Sequence, residues 1–597
     1  MLKNFKAFFI LHNNILFSIF LFLFGFLMYL ILLKYYIPIT ENIVPWGDPF
    51  TYEIGYYNLL NRIAEEGPNR GIIDDIKFII TANWYWLQKI LLFIFSPILI
   101  NEPYSLCIIN YFIYTVASIL FYFLLIETSI SNSAARFISI IFWLYPINFH
   151  FKEYSALPMM GLDSTFLGSL YCLVFSYLTF LIRPNSKYYQ ISFSIFLCAA
   201  IVGRGNSITV IALMLFLPSL FFIYNMFEKR DYSPIKNFLI PSIFFISIIS
   251  FYFYWQLNPI LNYYSVFQGF LTKDISLTLP YIKHVPGIFF IYPDTSEINL
   301  MVTTDYRVLS ASIVSHLVNI ISLILVIKSK NHNYKLLVYT GLFIFYGTFL
   351  INLSLWMNPH ITIYNAQLIW APMRIGFTLS LTMILILTLN SFSFRVNNLL
   401  FIFLILTTFL MSNYIYKENM SEAFKNKSHY TPNQIRNIDK FIKSNSRPKS
   451  VLVLWFGPNL SPRILNYYSI KDKNELLDYY RGKYADDIWN QSNTTEEFKK
   501  KVKYEINSIF ENVDLIVMNE NSKNYVGSYA WVRFREYITE QIQNGKLNDY
   551  KIIGIVKSFS GNLLIFKRSS EDLKNFEIEI EDGKEYKIKP INIKKIF

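Results

Sequence analysis

The chain has 597 residues, of which 53% are hydrophobic and only 16% charged, with a mean hydropathy of +0.34. That balance argues against a water-soluble fold, and the formal charge of +13 does not mark a nucleic-acid binder, because lysine and arginine fall mainly between apolar runs and in the C-terminal part without a basic-aromatic module. Cys107, Cys172 and Cys198 all lie in apolar stretches, so neither a disulfide framework nor a zinc site is expected.

The first apolar run follows Lys3 and Lys6, is long for the core of a signal peptide and lacks a small-x-small cleavage pattern, so it reads as a span. Measured against a bilayer, the runs predict about eleven spans, near 15–33, 104–126, 137–149, 161–182, 189–203, 206–227, 238–255, 310–327, 336–352, 373–390 and 399–416. The third and fifth are short, which predicts tilted, broken or buried helices.

Lysine and arginine resist translocation, so the short loops fix the orientation. Arg136, Arg183, Lys187, Lys229, Arg230, Lys236, Lys328, Lys330, Lys335 and Arg395 all fall on the side of Lys3 and Lys6, which predicts an interior N-terminus and an exterior C-terminus. The expected membrane domain covers 1–416, with exterior loops at 34–103, 256–309 and 354–372, and the interior loops are too small to hold an active site.

From about Met420 the composition becomes that of a soluble α/β domain, expected over 420–570. Segments 450–455, 515–518, 551–556 and 561–567 read as strands, and Thr494 followed by Glu497 gives a capping-box start to a helix over 494–511. The tail, 571–597, reads as a β-hairpin about Asp582-Gly583. A three-residue loop would pair Ile580 with Tyr586, Glu579 with Lys587, Ile578 with Ile588 and Glu577 with Lys589, so that apolar meets apolar and acid meets base; that register is the one expected. The chain shows no internal repeat and no low-complexity linker.

Ionisable groups near spans are costly, and here they gather at the exterior ends. His150, Lys152 and Glu153 follow the third span, Asp163 opens the fourth, Arg204 sits in the turn between the fifth and sixth, and Arg374 opens the tenth. An ion-coupled transporter would more often carry paired charges near the midplane. The first loop holds Pro45-Trp46-Gly47-Asp48-Pro49-Phe50-Thr51-Tyr52-Glu53, two carboxylates among aromatics close to the membrane surface. Such a pair suits base or metal chemistry on a sugar-like acceptor; equally, Asp48 shapes a Gly-Asp-Pro turn and Glu53 caps a helix. Arg204, in Gly203-Arg204-Gly205-Asn206, and Arg374 suit bidentate binding of phosphate, against the plainer role of headgroup anchors. Asp163 either orients a base or metal, or answers the dipole of its helix. Glu153 and His150 are weaker candidates, and His284 and His360 read as surface residues.

This layout resembles the GT-C superfamily of membrane glycosyltransferases, which includes protein O-mannosyltransferases and lipid A aminoarabinose transferases. The resemblance rests on Asp48 early in the first exterior loop, the aromatic close of that loop at Asn83-Trp84-Tyr85-Trp86, the segment from Pro146 to Asp163, and an exterior C-terminal domain. Many members carry adjacent acids in that loop, whereas Glu53 lies five residues beyond Asp48. The resemblance implies transfer of a sugar from a polyprenyl-phosphate donor to a glycan, lipid or protein acceptor outside a bacterial plasma membrane. Asp48, with Glu53, would be catalytic, Arg204 and Arg374 would hold the donor phosphate, Asp163 and Glu153 would support them, and Mg or Mn is the divalent cofactor such a site would use. The competing expectations are a lipid or glycan transporter or flippase, an O-antigen polymerase or ligase, and a noncatalytic assembly protein.

Overall fold

A computed structural model describes residues 2–42, 86–95, 105–128, 130–144, 162–203, 207–230, 232–273, 306–356, 363–390, 432–446, 450–453, 495–519, 549–556, 563–568, 577–581 and 584–588, with isolated positions between 399 and 410 and between 465 and 537. Apolar side chains without interruption by charge make a helix the cheapest state in lipid, because it satisfies every backbone group within the segment. The helices are α1 (Leu2–Asn42), α2 (Trp86–Phe95), α3 (Ser105–Glu127), α4 (Asn132–Leu144), α5 (Leu162–Ile182), α6 (Lys187–Gly203) and α7 (Ser207–Lys229). A 3₁₀ turn (Ser233–Phe238) leads into α8 (Leu239–Lys273), followed by α9 (Tyr306–Lys328), α10 (His332–Trp356) and α11 (Ile363–Asn390). Five of them, α1, α3, α5, α7 and α8, carry windows long and apolar enough to cross a membrane.

Helix α5 is the axis of the bundle. Of its apolar window, Thr165–Ile182, 94% is buried, against 11% for that of α8, so α5 is walled by protein and α8 keeps its apolar surface outward. Neighbours α3, α6, α7 and α11 pack around α5. Rings fill the space between α3, α4 and α5: Phe121 stacks on Phe175 at 4.6 Å and Tyr171 meets Phe142 edge-on at 5.2 Å. Helices α10 and α11 cross through glycines, since a Cβ on Gly376 would lie 2.5 Å from the carbonyl oxygen of Gly341. In lipid, where apolar burial does not drive helix pairing, such close backbone approach supplies the dispersion contact that does.

The polar C-terminal part forms a six-stranded mixed sheet in the order β1-β2-β4-β3-β5-β6. Its strands are β1 (Val451–Val453), β2 (Leu515–Asn519), β3 (Tyr550–Val556), β4 (Leu563–Arg568), β5 (Glu577–Glu581) and β6 (Lys584–Ile588). Strands β1 and β2 run parallel, which requires a crossover, and the helix Thr495–Asn512, α13, lies in it. Ahead of β1, α12 (Pro432–Asn445) buries Ile435, Ile438 and Ile442 at helical spacing in the core with Val451, Leu515, Val517 and Ile565. Strand β3 pairs antiparallel with β4 through a register shift between Ile552 and Gly554, and β5 joins the same sheet beside β3 through Ile555 and Glu579.

The structure corrects several expectations. The hairpin register is that of a two-residue connection, with Glu581 opposite Lys584, Glu579 opposite Tyr586 and Ile578 opposite Lys587. Asp-Gly favours a two-residue turn whose twist matches that of the strands, and this outweighs cross-strand pairs worth ~0.2–1 kcal/mol each. The third expected span, 137–149, is described as α4 as far as Leu144 and starts earlier, at Asn132, while 145–149 lie outside the described residues. Helix α8 continues to Lys273, well into the segment expected as an exterior loop, and α11 begins at Ile363 rather than at 373. Arg374 therefore stands eleven residues inside α11, at the edge of its apolar stretch Ile375–Ile386, and does not open the helix. Of the eleventh expected span only scattered positions are described, and these are helical.

Candidate functional site

Helix α6 ends at Gly203, one residue before Arg204. A Cβ at Gly203 would lie 3.5 Å from Phe166 Cδ2 and 3.6 Å from both Ser169 Oγ and Leu87 Cδ2. The end of α6 thus abuts the early turns of α5 and the first turn of α2. These are ordinary van der Waals separations, so the three helices are in contact at this point.

Around this point the polar groups are buried and specifically partnered. Thr165, two residues after Asp163, donates its hydroxyl to Asn110 Oδ1 on α3 at 2.5 Å, and both residues are buried. Each has a costly alternative in apolar surroundings, so the bond pins α5 to α3 near the start of both helices. Trp86, the first residue of α2, sets its ring edge-on to Tyr252 of α8 at 4.9 Å and lies 5.8 Å from Phe251. Its indole N–H is buried and meets no acceptor among the described residues. A junction of α2, α3, α5, α6 and α8 results.

The opposite end of the bundle is held by charge. Glu127 at the end of α3 accepts from Arg183 Nε through Oε2 and from the Tyr189 hydroxyl through Oε1, each at 2.7 Å. The hydrogen bond and charge of Glu127 raise the Arg183 pKa further above its ordinary value. Arg183 is mostly exposed, so the pair contributes no more than about 1 kcal/mol. Near the same end, Tyr122 donates to Asn14 Oδ1 at 3.0 Å, and Arg136 stands over the ring of Phe17 at 5.4 Å.

Asp48, Glu53, Glu153 and Arg204 lie outside the described residues, as do His150, Lys152, His284 and His360. Asp163 and Arg374 lie on α5 and α11 with their side chains outside the description. Among the described residues no group of three or more histidines, cysteines, aspartates or glutamates gathers to hold a metal ion. Sequence reasoning passed over Asn110 and Thr165, and also His316, whose Nδ1 stands 3.2 Å from the Tyr346 hydroxyl within α9 and α10. A polar residue inside an apolar run is the signal that would have found Asn110 and His316.

With several long apolar helices around a buried axis, the chain is an integral membrane protein with multiple spans. No protein-family model and no curated protein matches it. Among solved structures it is similar to ArnT from Cupriavidus metallidurans bound to undecaprenyl phosphate, with a TM-score of 0.38 and 10% identity over 92% of this chain and 98% of that one. It is also similar to the same protein in the apo state, with a TM-score of 0.38 and 10% identity over 92% of this chain and 97% of that one.

Proposed function

We propose that the chain is a membrane glycosyltransferase that moves a sugar from a polyprenyl-phosphate donor to an extracytoplasmic glycan, lipid or protein acceptor. The reading is supported above all by the seating of Gly203 against α2 and α5, since Arg204 follows it, Asp163 precedes Thr165 by two residues, and α2 follows the segment that carries Asp48 and Glu53. The ends of α6 and α5 that adjoin Arg204 and Asp163 thus meet the start of α2 at one end of the bundle. A lipid-linked donor is confined to the bilayer, so its phosphate has to be met at a membrane surface, the depth at which charged side chains are tolerated.

In this mechanism the Asp48 carboxylate takes the proton of an acceptor hydroxyl, and the oxygen attacks the anomeric carbon of the donor sugar. The carbon–oxygen bond to phosphate breaks, its electron pair leaves with the phosphate, and polyprenyl phosphate is released. Guanidinium groups of Arg204 and Arg374 carry the growing charge on the phosphate through paired hydrogen bonds, with Asp163 and Glu153 orienting them. Glu53 steadies positive charge on the sugar; where a Mg or Mn ion is used, Asp48 and Glu53 would hold it and it would supply charge to the phosphate.

Mass spectrometry of cell-envelope glycans and lipids with and without the gene tests the reaction class, and one glycoconjugate is expected to lose a sugar. An unchanged profile rejects the transferase. A change that survives Asp48→Asn names another base, whereas loss of donor movement across the membrane, with sugar transfer intact, points to a flippase.

A further inference from the structure

A cavity of about 230 Å³ opens at the end of the bundle away from Gly203, between the last turn of α5, the last turns of α7, the 3₁₀ turn and the start of α10. Helix α5 is 21 residues long, which separates this cavity from the junction at its other end by roughly 30 Å, so it is a distinct site in the opposite leaflet. Phe221, Met226 and Leu336 give it apolar walls, and Asn225, His332 and Asn333 give it polar groups.

The surroundings are strongly basic. Segments 183–187, 228–236 and 328–335 carry eight lysines and arginines against two acids. Arg183 is held by Glu127, but Arg230 and Lys335 remain within a turn of Met226 and Leu336. Arg230 ends α7 at a φ of 52°, in the left-handed region where glycine is usual, so a cation is kept at a position that costs backbone energy. The first turn of α10 presents the positive end of its dipole beside His332, with Asn331 Oδ1 accepting from the N–H of Asn333 at 2.9 Å. Helix α7 also keeps Phe216, Leu220, Ile223 and Phe227 exposed, a surface that suits acyl chains.

We propose that this cavity binds the headgroup of an anionic glycerophospholipid from the leaflet at this end, with the phosphate among Asn225, His332 and Asn333 and the acyl chains along α7. The space equals about eight waters, enough for a glycerol phosphate but not for a sugar nucleotide. Apolar walls continuous with a lipid-facing helix distinguish it from a site for a free cytosolic anion, and pockets of basic character between spans are suited to such headgroups.

The test is native mass spectrometry of the full chain in detergent, titrated with phosphatidylglycerol, phosphatidylcholine, polyprenyl phosphate and inorganic phosphate. Phosphatidylglycerol is expected to be retained in preference to phosphatidylcholine, with affinity falling about five-fold in each of Arg230→Gln and Lys335→Gln and further in Asn225→Trp, which fills the cavity. Equal retention of phosphatidylcholine overturns the proposal. So does preference for polyprenyl phosphate, which would assign the cavity to the carrier lipid, or full competition by inorganic phosphate, which would make it a free anion site. Should Asn225→Trp fail to fold, the two surface substitutions decide, and unchanged affinity in both rejects the site.

Discussion

Asp48 is the residue on which the proposed chemistry turns, because only a group that takes the acceptor proton changes the rate without changing how the donor is held. Asp48→Asn keeps the size and most of the hydrogen bonding of the side chain while removing its basicity. Turnover in membranes is expected to fall by roughly 10²- to 10⁴-fold, with retention of the lipid-linked donor unchanged. Tyr550 offers a test in the sheet, away from the catalytic question. Its hydroxyl donates to the Val513 carbonyl at 2.6 Å, and burial pushes its pKa up to about 12, with Arg568 at 5.7 Å from the ring opposing the shift. An unfolded tyrosine titrates near 10, so between about pH 10 and 12 the unfolded state loses a proton that the folded state keeps. The stabilisation is therefore full below pH 10 and lost as pH rises through 12, by an amount on the order of 2 kcal/mol. Thermal melts across this range are expected to show a steeper fall for the native chain than for Tyr550→Phe.

Among the elements, the crossing of α10 and α11 is the place where a small change has the largest structural reach. A Cβ on Gly376 meets the Gly341 carbonyl oxygen at 2.5 Å and the Phe345 N at 2.7 Å, and backbone atoms have no rotamer with which to move aside. Gly376→Val is expected to lower the melting temperature of the purified chain by several degrees, while Gly347→Ala, which faces the flexible Leu213 side chain at 3.1 Å, is expected to cost much less. Much at this scale was legible from the sequence, because hydrophobic runs and strand patterns depend on local composition. Segments 515–518 and 551–556 were expected as strands and are found as β2 and β3 with ends shifted by one residue. The hairpin was misread because cross-strand pairing was given more weight than the turn, whose backbone preference acts first on two adjacent residues. The extensions of α8 and α11 were missed since polar and aromatic residues outside lipid continue a helix as readily as apolar ones.

For the whole molecule, the pattern of lysine and arginine predicts that both ends of the bundle face different compartments. With the native cysteines replaced, Lys330→Cys is expected to react with a membrane-impermeant maleimide only after the inner face is exposed. Tyr504→Cys, at a 77% exposed position on α13, is expected to react from outside. Labelling of both from one side would remove the orientation on which the exterior reaction depends. The sequence by itself determined that the chain is a multispan membrane protein, because the cost of charge and of unpaired backbone in lipid is paid residue by residue and is visible as composition. It also named Asp163, Arg204 and Arg374 as costly charges near span ends, and Asp48 as a carboxylate of the first loop. Only the tertiary structure decided that Gly203 seats against the first turns of α2 and α5, that Asn110 meets Thr165, and that a basic cavity lies at the other end. Those are contacts between segments far apart in the chain, set by which helix faces pack together, and no local run of residues encodes them.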